Sequence, residues 1–269
     1  MASLSEAQST QYREQGYLIA PLRLSTERVP QLRASLERLI AANPNVRPEK
    51  LVSAHVVGKN GAPNAEGVRG SQDFLDLARD PEILDLVEQV IGPDIILWGC
   101  HVFCKPAGDG HETPWHQDGH YWPIRPLDNC TVWVALDPST RDNGCLRVIP
   151  GSHAARQCQP HLLEDRSDLV LNLRTDDTTF DVSTAVDLEL QPGQMSMHDV
   201  YMIHGARVNH STQRRTGVAL RYMPGTSVFE RNLNPVDGKS GVPVAFASRP
   251  LWLLRGQDRT GRNDFQVGH

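Results

Sequence analysis

The sequence predicts a mainly β fold, either a sandwich or a closed double-sheet jelly roll, with helices packed outside the β core. Two observations carry this prediction. From about residue 94 the chain consists of short β-branched or aromatic runs, which are separated by turn residues and not by helices. The first 95 residues show helical periodicity instead. Because neither a linker-like change in composition nor an internal repeat divides the 269 residues, a single domain is expected.

The N-terminal part, residues 1 to about 93, is predicted to be largely helical. A first short helix runs into a strand at Gly16, and a second helix within residues 25–43 places its leucines on one face. The third helix is "DPEILDLVEQVIG", which Asp80 can begin by accepting backbone N–H bonds. Residues 44–71 are rich in Pro, Gly and Asn and are predicted to form a long loop.

The β core is predicted for residues 94 to about 225. A C-terminal extension, residues 226–269, completes the expected single domain of residues 1–269 and matches no recognisable pattern. The predicted strand segments of the core are "DIILWGCHVFCKP", "CTVWVALD", "CLRVIPGSH", "VDLEL", "QMSMHDVYMIHGA" and "RTGVALRYMP".

Composition narrows the range of partners. The net charge is −5 and the basic pairs are isolated, which argues against a nucleic-acid or anionic-membrane surface. No apolar run approaches the ~18 residues of a membrane span, and the N-terminal "MASLSEAQST" lacks the pattern of a secretory signal. The cytoplasm is the expected location, and the oligomeric state stays open. Five cysteines without a CxxC pair are expected to be buried free thiols.

Two segments carry candidate metal ligands. In "PWHQDGHYW" an extended backbone would point His116 and Asp118 to the same face. In a predicted hairpin, His204 and Arg215 are 11 residues apart and would be directly opposed. Two histidines and one carboxylate form the facial triad of non-haem Fe(II) oxygenases, and a nearby arginine suggests that an organic acid occupies one of the open positions.

Each of these residues alone is more often part of a polar loop or a hydrogen-bonded core, and only the assembled pattern favours a metal. Three other histidines, His120, His198 and His210, are rival ligands. We rank His198 and His210 below His204 because neither would stand opposite Arg215 in the predicted hairpin.

The segments "HQDGHYWP", "WVALDPSTRDNGCLRVIPGSH" and "HGARVNHSTQRR" together resemble the phytanoyl-CoA dioxygenase family of Fe(II)/2-oxoglutarate oxygenases. The likeness runs from "YREQGYLIAP" to about "RYMP". It implies a double-stranded β-helix (a cupin-like jelly roll). It also implies that His116, Asp118 and His204 bind iron, and that Arg215 binds the distal carboxylate of 2-oxoglutarate.

The resemblance also implies which residues line the 2-oxoglutarate site. Trp133 matches an aromatic position there, and His101 falls near another lining position. The family often has a serine two residues after the distal histidine, where this chain has Ala206. The missing hydrogen bond is expected to come from elsewhere, for instance from Thr131 or a water molecule.

The substrate site is predicted more coarsely. Arg125 is the first candidate for binding an anionic group of the substrate. A small polar metabolite is expected, such as an amino acid derivative, a phosphonate or a natural-product intermediate, and a CoA thioester is disfavoured because no basic patch is evident. The candidate substrate-binding residues are Trp98, Tyr121, Trp122, Arg125, Tyr201 and Arg221.

The resemblance implies an Fe(II)- and 2-oxoglutarate-dependent dioxygenase that consumes O₂, releases succinate and CO₂, and hydroxylates an unactivated C–H bond. Desaturation, ring closure and epimerisation stay open alternatives. A metal-dependent hydrolase with a His/Asp/His site is the alternative enzyme, but it leaves Arg215 without a role. A non-catalytic jelly-roll protein that binds a metabolite is the alternative from another class, and the intact triad argues against it.

The presence of a carboxylate at Asp118 predicts that the protein transfers oxygen, and not a halogen, to its substrate. Related iron halogenases have a small residue in place of this carboxylate, which frees a position for chloride. The unmodified protein should therefore give no chlorinated product at high chloride, and Asp118→Gly should lose most hydroxylation because the carboxylate helps to hold Fe(II). Mass spectrometry of the product in chloride-containing buffer checks this. A chlorinated product from the unmodified protein would show that Asp118 is not a ligand.

Overall fold

The structure, a computed structural model, describes residues 2–236 and 238–269. Its helices are α1 (Glu6–Gln15), α2 (Arg28–Ala42), α3 (Gln72–Ala78) and α4 (Pro81–Ile91). Its strands are β1 (Tyr17–Arg23), β2 (Leu51–Val52), β3 (Ile95–Lys105), β4 (Thr113–Gln117), β5 (Ile124–Arg125), β6 (Cys130–Ala135), β7 (Leu146–Val148), β8 (His161–Leu163), β9 (Leu173–Thr175), β10 (Val186–Leu188), β11 (Gln194–Asp199), β12 (Ile203–Ala206), β13 (Arg215–Pro224), β14 (Val228–Phe229) and β15 (Trp252–Arg255).

Two antiparallel sheets form the core and confirm the predicted jelly roll with flanking helices. The larger sheet has the order β1-β11-β6-β13-β3-β15, and β2 also pairs with β3. The smaller sheet has the order β10-β7-β12-β4. Consecutive strands such as β11 and β12 lie in different sheets, which is the crossing pattern expected when two sheets close around a common interior.

Capping residues fix both ends of α1 and the beginning of α4. Ser5 caps α1 through a reciprocal bond pair with Gln8, and Gly16 ends it in the left-handed conformation, with φ 80°. Asp80 accepts a bond from the backbone N–H of Glu82 at 3.0 Å and so begins α4, as predicted. The predicted loop of residues 44–71 is mostly irregular, but it also contributes β2 to the larger sheet.

The larger sheet separates two environments because alternate side chains of a strand point to opposite faces. On β13, Val218 and Leu220 belong to the main hydrophobic cluster together with residues of the four helices. Arg215, Ala219 and Arg221 point to the other side, where they line a cavity enclosed by both sheets. Helices therefore cover one face of the sheet, and the cavity occupies the other.

The predicted hairpin between His204 and Arg215 is wrong. His204 lies on β12 and pairs with His116 of β4 and Val148 of β7, in the smaller sheet. Arg215 lies on β13 and pairs with Lys105 of β3, in the larger sheet. The intervening segment crosses from one sheet to the other, so the two side chains line the same cavity from different sheets and are not opposed in a ladder.

The C-terminal segment, residues 226–269, packs onto the core. Its strand β15 pairs with β3 at the edge of the larger sheet, and β14 pairs with β5. Arg259 forms an ion pair with Asp94 at 2.6 Å. The division into one domain with three parts stays a prediction. No helix in the described ranges has the length and apolar character needed to cross a membrane.

Candidate metal centre and co-substrate pocket

Strand pairing brings two histidines together. His204 of β12 and His116 of β4 are direct partners in the ladder, and their ring centroids are 4.2 Å apart. Directly opposed residues of an antiparallel pair share one face of the sheet. This face of the smaller sheet is the one that lines the cavity.

Asp118 joins the histidines because β4 ends one residue before it. A short 3₁₀ turn, Asp118–His120, follows the strand and keeps the carboxylate beside His116. Its Oδ1 lies 3.6 Å from Nε2 of His116, and its Oδ2 lies 3.9 Å from Nε2 of His204. One ligand atom from each of the three residues falls within 4.8 Å of the others, a spacing that a single metal ion can bridge.

Backbone carbonyls orient both imidazoles. Nδ1 of His116 is 2.8 Å from the carbonyl oxygen of Pro114, and Nδ1 of His204 is 2.9 Å from that of Met202. When Nδ1 donates its proton to the carbonyl, the lone pair of Nε2 is free to bind a metal. Burial lowers the pKa of His204 well below its usual range, so this ring is held in the neutral form that a metal requires.

The carboxylate is held in its charged form. Burial alone would raise the pKa of Asp118, but the side chains of His116, His198 and His204, each with a ring nitrogen within 4 Å of the carboxylate, lower this pKa well below its usual range. The three side chains therefore offer two imidazole nitrogens and one carboxylate oxygen. This donor set fits Fe(II), so the residues present agree with the metal that the sequence implied.

The rival histidines take different places. His198 is buried on β11 in the opposite sheet, with Nε2 3.8 Å from Oδ2 of Asp118, and neither ring nitrogen has a hydrogen-bond partner in the described chain. It lines the cavity but lies outside the three-residue cluster. His120 stacks on His161 with ring centroids 3.9 Å apart, and His210 is exposed.

Arg215 faces the metal ligands from the larger sheet. Its side chain is 2% exposed, its Nη1 donates to the carbonyl of Phe103 at 3.3 Å, and its Nε has no partner among the described residues. Burial lowers its pKa to about 10, so the guanidinium stays charged at neutral pH. Its central carbon lies 5.3 Å from the Trp133 ring centre. A side chain at Gly217 would overlap that ring, so the glycine lets Trp133 lie flat over β13.

The other residues expected at the co-substrate site also line the cavity, and these are Trp133, His101, Thr131 and Ala206. His101 stacks on Phe103 with centroids 3.7 Å apart, and its Nε2 is 3.0 Å from the carbonyl oxygen of Glu49. The hydroxyl oxygen of Thr131 accepts a bond from Asn129 at 3.3 Å.

The six candidate substrate residues divide into two groups. Trp98, Tyr121, Trp122 and Arg221 line the cavity. Arg125 does not, because its exposed guanidinium turns back to the carbonyl oxygens of Ile124 and Trp122.

Tyr201 is also outside the cavity wall. It is half-buried, and its ring packs against the guanidinium of Arg156 at 4.6 Å. These placements correct the assignment of Arg125 and Tyr201 to the pocket.

Part of the cavity wall has no counterpart in the predictions. Val242, Val244, Phe246 and Arg249, all from the C-terminal segment, line it. Their segment lacks a hydrophobic period in the sequence, so the pattern gave no signal of this role. The segment predicted as an extension therefore forms one side of the site.

A jelly roll that presents two histidines and a carboxylate beside a buried arginine has the ligand set of the non-haem iron oxygenases. The family model of phytanoyl-CoA dioxygenase (PhyH) matches residues 12–217, so the chain belongs to this family, as its motifs predicted. The predicted class, an Fe(II)- and 2-oxoglutarate-dependent dioxygenase, is confirmed with it.

Individual proteins that are similar to this chain are consistent with its membership of this family. Peroxisomal phytanoyl-CoA dioxygenase of Mus musculus is 30% identical over 270 residues, which cover 91% of this chain and 79% of the mouse protein. L-proline trans-4-hydroxylase of Streptomyces griseoviridis is 32% identical over 152 residues, about half of each chain (54% and 53%). The structure of EvdO2 from Micromonospora carbonacea var. aurantiaca complexed with 2-oxoglutarate has a TM-score of 0.62 and 25% identity, over 83% of this chain and 94% of that chain.

Removing one imidazole should abolish metal binding. We expect His204→Ala to lose Fe(II) binding in anaerobic calorimetry, with little change in melting temperature, because the β12 ladder uses backbone groups only. The exposed His210→Ala is the matched control and should bind Fe(II) normally. His198→Ala decides between the rival ligands, since retained binding in that variant together with loss in His204→Ala supports the cluster. The reverse pattern would contradict it.

Changing Arg215 should weaken 2-oxoglutarate binding. A guanidinium binds a carboxylate through two parallel hydrogen bonds, and lysine does not reproduce this fork. Arg215→Lys should raise the KM for 2-oxoglutarate. Arg215→Ala should weaken the binding of 2-oxoglutarate by about 2–4 kcal/mol, which is a loss of affinity of about 30- to 1,000-fold. An unchanged KM in steady-state succinate assays would show that the distal carboxylate binds elsewhere.

Proposed function

We propose that the protein hydroxylates an unactivated C–H bond of a small polar metabolite, such as an amino acid derivative, a phosphonate or a natural-product intermediate. The observation that carries this proposal is the placement of His116, Asp118 and His204 opposite the buried Arg215 in one cavity. The alternative of a metal-dependent hydrolase explains the three ligands but assigns no role to Arg215. A relative named L-proline trans-4-hydroxylase supports a small polar substrate.

His116, Asp118 and His204 would hold Fe(II). With 2-oxoglutarate and O₂, Fe(II) would supply the oxidising chemistry, in which one oxygen atom of O₂ enters succinate and the other enters the substrate as CO₂ leaves. Arg215 would bind the distal carboxylate of 2-oxoglutarate and so orient the co-substrate toward the three ligands. Trp133, whose ring centre lies 5.3 Å from the Arg215 guanidinium carbon, would line the same site and help to exclude water from it.

The substrate side of the cavity is mainly aromatic. Trp98 and Trp122 pack edge to face, with ring centroids 4.6 Å apart, and the hydroxyl of Tyr121 donates to the carbonyl of Leu173 at 2.7 Å. Because these rings are fixed by packing and hydrogen bonding, they can position a substrate C–H group at a defined distance from the metal ligands. Water exclusion by the same wall protects the reaction from unproductive turnover.

Isotope labelling tests the proposed reaction. Anaerobically purified protein loaded with Fe(II) is mixed with 2-oxoglutarate, ¹⁸O₂ and a panel of small polar metabolites, and succinate and products are measured by mass spectrometry. We expect succinate that carries one ¹⁸O atom, and a product that is 18 mass units heavier than its substrate. The matched control His210→Ala should behave like the unmodified protein, and His116→Ala should release no succinate. Product formation that leaves 2-oxoglutarate and O₂ unconsumed would identify a hydrolase and contradict the proposal.

A further inference from the structure

Arg221 is a buried cation that forms no salt bridge with an acidic side chain in the described part of the chain, and the acidic group that attracts it is Asp118, one of the three candidate metal ligands. Its side chain lies on the cavity face of β13, and 9% of the residue surface is exposed. Its Nε is buried with no hydrogen-bond acceptor among residues 2–236 and 238–269. The ring centres of Trp98 and Trp122 lie 5.8 and 5.0 Å from its central carbon, and cation–π attraction offsets part of the lost hydration. An uncompensated buried charge is nevertheless unfavourable.

The other cavity arginine at this end is already neutralised. Arg249, from the C-terminal segment, forms an ion pair with Glu66, and both side chains are 3% exposed. Arg249 and Arg221 meet above Gly99, where an added Cβ would lie 3.7 Å from Nη1 of Arg249 and 3.5 Å from Cδ of Arg221. Two guanidinium groups thus share this end of the cavity, and among the described residues Glu66 forms a salt bridge with one of them, Arg249.

Arg221 is too far from Arg215 to share its ligand. Both lie on the same face of β13, six residues apart, which places their Cα atoms about 20 Å from each other at ~3.3 Å per residue. Under the proposed function, Arg215 binds the distal carboxylate of 2-oxoglutarate. Arg221 is therefore a second, separate anion-binding position at the opposite end of the same cavity.

The charges of the loaded site point to the same conclusion. With Fe(II), doubly charged 2-oxoglutarate, Asp118 and Arg215 in place, positive and negative charges balance. The Arg249–Glu66 pair is also neutral. Among the described charged residues that line the cavity, Arg221 is then the one whose charge is left uncompensated. A substrate with one negative group would complete the balance in a low-dielectric site, where the interaction is strong.

Arg221 and the C-terminal wall at this end of the site lie outside the part of the chain that matches the family model. The match covers residues 12–217, so Arg221 and the whole C-terminal wall follow it. Val242, Val244 and Phe246 of that wall add apolar surface beside the two guanidinium groups. The three candidate metal ligands and Arg215 therefore lie within the matched region, whereas Arg221 and the C-terminal wall of the cavity lie beyond it.

We propose that the substrate is a small organic oxyanion, a carboxylate or a phosphonate, whose charged group is bound by Arg221. Its apolar body lies against Trp98, Trp122 and the C-terminal wall, between Arg221 and the metal ligands. This proposal rests on the proposed function and narrows its substrate class from polar metabolites to acids.

Paired acids and amides test the proposal. Protein loaded with Fe(II) and 2-oxoglutarate is kept anaerobic, so that no turnover occurs and Arg215 is occupied. Calorimetry then gives the dissociation constants of benzoate, phenylacetate, propionate and phenylphosphonate, and of the neutral amide of each carboxylate. We expect at least one acid to bind about tenfold or more tightly than its amide. Arg221→Gln should remove this preference by weakening the acid and not the amide.

A matched variant and a second substitution complete the test. Arg125→Gln, which changes an exposed arginine outside the cavity, should keep the acid preference. Arg221→Lys keeps the positive charge but cannot form the two parallel hydrogen bonds of a guanidinium, so it should bind the acid with intermediate affinity. This variant replaces Arg221→Gln in the test if Arg221→Gln does not fold. If no acid binds better than its amide, or if the preference survives in both Arg221 variants, the proposal is overturned. Repeating the titrations without 2-oxoglutarate shows whether acid binding or 2-oxoglutarate binding has failed. A failure of 2-oxoglutarate binding would contradict the proposed function and not the role of Arg221.

Discussion

The pairing of β12 with β4 determines where the proposed metal centre can form. His204 and His116 are direct ladder partners, and a register shift of one residue would turn one imidazole to the opposite face of the sheet. Both rings use the same local device, a bond from Nδ1 to the carbonyl oxygen two residues earlier in the chain. Strand register thus sets the distance between the two nitrogens, and the backbone sets their direction. Asp118 completes the set because the strand ends just before it.

Strand β13 supplies the opposing wall, and its sequence explains both the space and the charge of the cavity. Gly217 and Ala219 face inward at the centre of the strand, where small residues leave room for Trp133 and for a ligand. Arg215 and Arg221 face inward at either side of this centre. The opposite face of the same strand packs against the helices. One strand therefore contributes to the hydrophobic core on one face and places two guanidinium groups in the cavity on the other.

Local signals in the sequence predicted much of this structure. Strand β13 spans the segment "RTGVALRYMP" as expected, and the capping residue Asp80 begins its helix where predicted. The predicted hairpin failed because pairing between distant strands decides which sheet a strand joins. The segment "QMSMHDVYMIHGA" divides into β11 and β12, which lie in different sheets. The alternation of side chains along a strand predicts the position of Arg221 correctly. It stands six residues after Arg215, and an even spacing places both side chains on the same face of the strand. The C-terminal wall carried no comparable pattern.

An anaerobic crystal structure with Fe(II) and 2-oxoglutarate tests the central claim most directly, because it shows which atoms bind the metal and which residue binds the distal carboxylate. The result we predict is a metal bound by Nε2 of His116, a carboxylate oxygen of Asp118 and Nε2 of His204, with the distal carboxylate of 2-oxoglutarate on Arg215. A metal bound through His198 in place of His204, or a 2-oxoglutarate whose distal carboxylate lies on Arg221, would contradict it.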